Sequence, residues 1–303
     1  MANTIVSSEI WNAQLLSTIT PINVAVQLTH EAYTEDVVAG GSKVHVITPG
    51  AVSVVDYVKG TDMSLGSITD TDEYIQINKS LAWNFPVDSI DRVQANPNTV
   101  ATYGQQAGKA LSRSVDTYIF STYSQANSGN KITGASSAAL KIAGAAAETS
   151  PYELLVDAGV KLTTLDVPLD GRFVVVSPFV LGVLLKDTTR FVRASALGDM
   201  VVTSGRFGTK ANATPGFVGQ IAGFDVYVSA NVPSASAGAN TYMVFGQGQP
   251  ISFINQFSTV EAVPNTLQFG QILKGLLLCG AKVFAEDAKR LGSIYVVNSP
   301  VAS

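Results

Sequence analysis

The chain has 303 residues, of which 46% are hydrophobic and only 14% charged, and its formal net charge at pH 7 is −4. A charged share well below the usual ~25% fits a surface covered in part by partners, because exposed apolar area marks interfaces, although a large monomeric β protein has similar numbers. No stretch approaches the roughly 20 apolar residues of a membrane-spanning helix; the start, MANTIVSSEIW, lacks the order of a signal peptide; and the single cysteine, Cys279, excludes an internal disulfide and any multi-cysteine metal site.

Charge is unevenly spread. Residues 1–96 hold four basic and eleven acidic side chains, a net of −7, and the remainder hold fifteen and twelve, a net of +3. An acidic first third on a slightly basic body suits one copy lying across another; an ordinary solvated surface has the same composition. The first 35 residues carry a short helical pattern at Trp11, Leu15, Leu16 and Ile19, stopped by Pro21. They offer too few apolar positions for a core and read as an arm, residues 1–38, that docks onto something else.

From Gly40 to Val87 the pattern alternates, with Val44, Val46, Val52 and Val54 on one side and Tyr74, Ile75, Ile77, Leu81, Trp83 and Phe85 on the other. The polar stretch between them, YVKGTDMSLGSITDTDE, makes this a long two-stranded hairpin with a polar tip. A lone two-stranded hairpin is marginal in water, so a long one leans on another body.

The next element is a long helix over about residues 97–125. Asn96 is a good N-cap and Pro97 suits the first helical position. Val100, Tyr103, Ala107, Leu111, Val115, Tyr118 and Ile119 follow at helical spacing, and Asn127, Ser128 and Gly129 stop the pattern. Lys109, Arg113 and Asp116 are placed on its polar side, and Gly104 and Gly108 leave room for a neighbouring backbone.

Ala135–Thr149 reads as loop or weak helix. Ser150 then caps and Pro151 starts a helix over Tyr152–Leu165 with Leu154, Leu155, Ala158, Leu162 and Leu165 inward. Asp170-Gly171 is turn chemistry, Phe173–Val176 a buried strand, and Pro178 opens a short helix carrying Leu181, Leu184 and Leu185. A basic and glycine-rich loop follows, then a second strand at Ile221–Val228, and further strands at Tyr242–Phe245, Ile251–Ile254, Val260–Val263 and Ile294–Val297. Periodicity leaves the apolar run Phe269–Ala285 open between strand and helix.

Chemistry is sparse. His30 and His45 have no ligand or triad spacing, and Ser177 in VVSPF lacks the glycines of a nucleophile elbow, which makes it a helix cap. There is no Walker A sequence, and GQGQP has no third glycine or helix start. Asp70, Asp72 and Glu73 are oxygen donors for a hard cation but lack the EF-hand loop, so a solvated hairpin tip is the better reading. Lys186, Arg190, Arg193, Arg206 and Lys210 form a basic cluster. With few interleaved aromatics and an acidic chain around it, a subunit contact fits better than nucleic acid. No catalytic, cofactor-binding or metal residue is assigned.

DGRFVVVSP, LLKDTTRFV and GQIAGFDVYVS, together with the hairpin and long helix before them, resemble the major capsid proteins of tailed double-stranded DNA bacteriophages. The resemblance covers nearly the whole chain in order. It implies an α+β, HK-type phage capsid fold: an N-terminal arm (1–38); an extended β-hairpin loop with adjoining strands (39–88); a peripheral domain with a long spine helix (89–149); a central α/β domain (150–266); and a return strand with the C-terminus (267–303).

It also implies a structural shell protein and no enzyme, self-assembling through pentamers and hexamers around double-stranded DNA bound without sequence specificity. A separate scaffolding protein and a portal are expected partners, with a decoration protein as a further one and no membrane. Because the hairpin starts near residue 40, no long scaffolding segment fits before the arm. Assembly in the host cytoplasm and a place in the virion follow. Lys59, Asp62, Asp70, Asp72, Glu73, Arg190, Arg193, Arg206 and Lys210 are the inter-subunit contact candidates. Some members join a hairpin lysine to a neighbour's asparagine; Lys59 lies near the tip, but no matching asparagine and acid are assignable. Within the same fold, an encapsulin-type compartment is the alternative.

Overall fold

The computed structural model describes residues 24–34, 43–50, 52, 54, 56, 59, 60, 62, 68–88, 98–142, 149–186, 216–265 and 269–297. The helical pattern at Trp11–Ile19, the Asn96-Pro97 cap and the basic residues Arg190, Arg193, Arg206 and Lys210 lie outside them.

The described chain begins with buried Val24 and Ala25, a 3-10 turn at Val26–Leu28 and strand β1 (Thr29–His30). Strands β2 (Lys43–Thr48) and β3 (Thr71–Gln76) pair antiparallel in register. The run from Tyr74 to Phe85, expected as one arm of the hairpin, is instead divided. Ile77 and Asn78 interrupt it, and β4 (Lys79–Asp88) departs into a different sheet.

Helix α1 (Asn98–Ser121), continued by a 3-10 turn at Thr122–Gln125, occupies the expected span. Its 24 residues make about 36 Å at 1.5 Å each. Leu111, Val115 and Ile119, four apart, are buried on one face as a helical stripe requires, and Phe120 joins them. Asp116 departs from its expected place on the polar side: it is buried, for the reason given below.

The short strand β5 (Lys131–Ile132) precedes α2 (Pro151–Thr164), whose N-cap Ser150 accepts the Tyr152 amide. Strand β6 (Arg172–Val176) and helix α3 (Pro178–Lys186) follow, with Ser177 Oγ accepting the Val180 amide at 3.3 Å. The expected single strand at 221–228 is two: β7 (Phe217–Ile221) and β8 (Phe224–Val228). Ala222 and Gly223 both take positive φ, 50° and 82°, the geometry of a tight hairpin turn.

The chain closes with β9 (Ser234–Ala235), β10 (Asn240–Gln247), β11 (Ile251–Pro264), β12 (Gly270–Lys282) and β13 (Leu291–Val297). The separate strands expected at 251–254 and 260–263 are one strand, β11, with a register shift between Ser258 and Glu261. The apolar run Phe269–Ala285 is a strand over most of its length.

Two larger sheets result. One has the order β1-β11-β12-β4, the other β5-β13-β10-β6-β8-β7 with β9 on β10. Strand β6 is buried at every position because it is central and covered on both faces. Val174 and Val176 meet Leu154, Leu155, Leu162 and Leu184 of α2 and α3. Phe173 and Val175 belong to the core that gathers α1, β12 and residues 24–28. Stacked rings of Tyr123, Tyr242 and Tyr295, with centroids 4.3 and 4.4 Å apart, tie the end of α1 to β10 and β13.

Candidate assembly surface

The β2–β3 hairpin projects from this body, and its pairing decides which side chains are held and which are free. On the face turned to the body, Val44, Val46 and Ile75 pack with Tyr33, Ile77, Ile254 and Phe284. Glu73 fixes the base of the hairpin: Oε2 accepts the Ala285 amide at 2.9 Å and Oε1 lies 3.7 Å from Lys282 Nζ. On the other face His45 Nδ1 and Asp72 are 3.0 Å apart and both well exposed. Lys43 lies over the Tyr74 ring at 4.6 Å.

Above the paired strands the two arms stay close. The Asp70 carboxylate accepts the Gly50 amide at 3.3 Å, and a Cβ on Gly50 would run into the Thr69 carbonyl, so glycine is what allows the approach. Lys59 and Gly60 form an exposed turn, with Gly60 at φ 90°, and Asp62 is exposed beyond it. Ile47, Val52, Val54 and Ile68 all project into solvent, Val54 with 95% of its surface exposed. The hairpin therefore combines aliphatic side chains that have no partner among the described residues with acidic charge, two lysines against five carboxylates over residues 43–76.

Of the contact candidates, Asp70, Asp72 and Glu73 sit together at the neck and base of the hairpin, not at its tip. Lys59 and Asp62 sit at the outer turn. Arg190, Arg193, Arg206 and Lys210 lie outside the described residues. Among the described residues, no cluster of three or more His, Cys, Asp or Glu side chains is arranged for a metal ion, and no helix is long and apolar enough to cross a membrane. Cys279 is fully buried, and burial pushes its thiol up to about 11, an inert state for a nucleophile.

Two buried polar residues that periodicity does not reveal fix the surroundings. Asp116 accepts the Val24 and Ala25 amides at 3.3 and 3.2 Å and the Asn231 side-chain amide at 3.3 Å. It thereby pins the exit of the N-terminal segment to α1. Arg172 donates to the Pro168, Gly159 and Val167 carbonyls and to Thr163 Oγ1 at 2.8–3.1 Å, tying the end of α2 and the loop after it to β6. The only signals in the sequence are a charge beside an apolar stripe and an arginine opening a β-branched run.

A family model described as phage capsid protein matches residues 70–272. None of the curated proteins matches in sequence. Among solved structures, one from Mycobacterium phage Che8 is similar with a TM-score of 0.66 and 22% identity over 90% of each chain. The capsid of Ralstonia phage GP4 is similar with a TM-score of 0.65 and 13% identity, covering 87% of this chain and 86% of that one. A virus-like particle from Pyrococcus furiosus gives a TM-score of 0.53 and 12% identity, covering 95% and 98%.

Proposed function

Because the chain belongs to the phage capsid protein family and has the HK-type capsid fold, we propose that its structural role is that of the major subunit, assembling through pentamers and hexamers into an icosahedral shell around double-stranded DNA. The observation that carries this is the projecting hairpin: its aliphatic side chains at Ile47, Val52, Val54 and Ile68 have no partner in their own chain's described residues, and a neighbouring copy supplies one.

In this reading residues 1–38 are the arm, 39–88 the extended loop with its strands, 89–149 the peripheral domain, 150–266 the central domain and 267–303 the return strand. Asp62, Asp70, Asp72 and Glu73 face basic side chains of a neighbour, and Lys59, Arg190, Arg193, Arg206 and Lys210 face acidic ones. A separate scaffolding protein directs closure in the host cytoplasm, a portal occupies one vertex, and a decoration protein is a further partner.

Electron microscopy of the purified chain, alone and with any scaffold encoded beside it, tests the reading. Closed or irregular shells support it, and a stable monomer under all conditions overturns it. The likeness to the Pyrococcus furiosus virus-like particle favours a second reading, a compartment that houses protein cargo. Particles purified from the native source that hold double-stranded DNA support the first, and particles holding an enzyme support the second.

A further inference from the structure

The outward side of α2 carries a second surface with no partner among the described residues. An open cleft of about 490 Å³ lies between α2, the loop before β6 and the Ala222 turn, with Val156, Val160 and Leu169 on its walls. All three side chains are exposed, Val160 at 59%. Val156 and Val160 stand four apart on the helix and so form one stripe. The cleft is preformed, because Arg172 beneath it binds the carbonyls of Gly159 in α2 and of Val167 and Pro168 in the loop.

Its rim is acidic. Asp157, Asp166 and Asp170 are exposed and form no ion pair among the described residues. Lys161, the cation on the same helix, donates to the Gly129 carbonyl at 2.7 Å on the side of the 3-10 turn at Ser128–Asn130. An apolar cleft with such a rim selects an apolar segment flanked by cations.

The chain contains one. Residues 187–215 carry Arg190, Arg193, Arg206 and Lys210 against Asp187 and Asp199. Their aromatic residues sit directly beside arginines, in Arg190-Phe191-Val192-Arg193 and Arg206-Phe207. We propose that this segment of a second copy occupies the cleft, Phe191 against Val156, Val160 and Leu169 and the arginines against the aspartates. The inference rests on the shell reading: a head-to-tail contact, with cleft on one copy and segment on the next, repeats around a closed ring and leaves no copy unsatisfied.

The test uses cysteine pairs in the full chain, where the fully buried Cys279 stays silent. Val160→Cys and Phe191→Cys are made in separate copies and mixed before assembly, and Phe207→Cys replaces Phe191→Cys in a parallel set. Particles of the wild-type chain and of each variant are first confirmed by microscopy. Mild oxidation of particles from an equal mixture is expected to link up to about half of the Val160→Cys chains to a Phe191→Cys or Phe207→Cys chain, the share that random mixing places beside one. A further chain carries both Val160→Cys and Phe191→Cys, and linking only within that chain overturns the proposal in favour of a segment folded on its own cleft. No linking in well-formed particles also overturns it, and leaves the shell reading intact. Failure of the wild type to assemble under any condition removes both. As a second measurement, Asp157→Lys with Asp170→Lys lowers particle yield at least tenfold, and adding Arg190→Glu and Arg193→Glu to the same chain restores it.

Discussion

The Asp116 carboxylate receives the Ala25 amide at 3.2 Å, 91 positions away in the chain, with only 1% of its own surface exposed. Asp116→Ala leaves that amide, the Val24 amide and the Asn231 side chain without an acceptor. At about 1–3 kcal/mol for each buried group so stranded, with partial rescue by water, the loss is about 2–4 kcal/mol. Urea unfolding followed by tryptophan fluorescence measures it. Limited proteolysis gives a local readout: cleavage within residues 24–34 rises at least tenfold in the variant, and an unchanged pattern shows that the carboxylate does not hold the segment.

Burial also pushes the Asp116 carboxyl above its ordinary 3.8, against the lowering effect of its hydrogen bonds to Asn231, Ala25 and Val24. The folded chain therefore keeps this proton at a pH where the unfolded chain has released it. The group's contribution to stability is complete below 3.8 and declines as pH rises through the raised value. Unfolding measured on wild type and Asp116→Asn across that interval checks the sign. The difference between them shifts in favour of the asparagine variant as pH increases; a constant difference removes the claim.

Arg172 is a second single-residue tie. Replacing it by methionine keeps much of the stem volume but leaves the Val167 and Pro168 carbonyls without the guanidinium, while Gly159 keeps the Thr163 hydroxyl, at a cost of about 2–4 kcal/mol in urea unfolding. Lysine does not restore this, because one ammonium cannot span acceptors that a planar fork reaches in different directions. By contrast His45→Ala, which removes only the exposed pair with Asp72, changes stability by less than about 0.5 kcal/mol.

These ties explain where sequence reading stopped. The long helix was legible because Leu111, Val115 and Ile119 repeat at four residues, and the α2 start because Ser150-Pro151 is a cap followed by a first-turn proline. Asp116 lies one position from Val115 and was assigned to solvent by residue type alone; its partners come from residues 24, 25 and 231, which no local pattern brings together. The β7–β8 turn was hidden because Ala222-Gly223 interrupts an apolar run without a polar residue. Strand β12 defied periodicity because both faces carry apolar side chains, Leu273, Leu277 and Cys279 buried on one and Ile272, Leu276 and Leu278 half-buried on the other. The hairpin's exposed aliphatic residues were visible as an alternating run, and none of the described residues covers them.

Glycine at 275 is set by its cross-strand neighbour. Gly275 pairs with Trp83, and a Cβ there would lie 2.6 Å from the indole ring. Gly292 pairs with Phe245, and its Cβ would overlap that ring. In each case the aromatic ring covers the partner's bare backbone. Gly275→Ala is expected to cost about 1–3 kcal/mol through displacement of the indole, with a shift in tryptophan emission. Gly171→Ala serves as the comparison, since open space surrounds that position and only its φ of 69° opposes a side chain.

Val54 separates assembly from folding. It is 95% exposed, so Val54→Asp changes the stability of the free subunit by no more than about 0.5 kcal/mol. If the hairpin is covered by a neighbour, the same change places a charge in an apolar contact and abolishes particles in the microscope while the urea midpoint stays put. Normal particles from Val54→Asp refute the role given to this arm.

If a neighbour holds the hairpin, salt distinguishes the two forces that do so. Raising ionic strength from about 0.05 to 0.5 M shortens the screening length from roughly 14 to roughly 4 Å. Contacts between the acidic hairpin and a basic neighbour weaken over that range, while apolar contacts at Ile47, Val52 and Val54 do not. Particle yield, measured by light scattering at fixed protein concentration, is therefore expected to fall as salt rises. Asp62→Lys, which reverses a charge near the exposed turn, should reproduce the fall at low salt. Yield that is flat across the salt range, with Asp62→Lys indistinguishable from wild type, means that the aliphatic residues alone hold the arm and that its acidic charge serves only solubility.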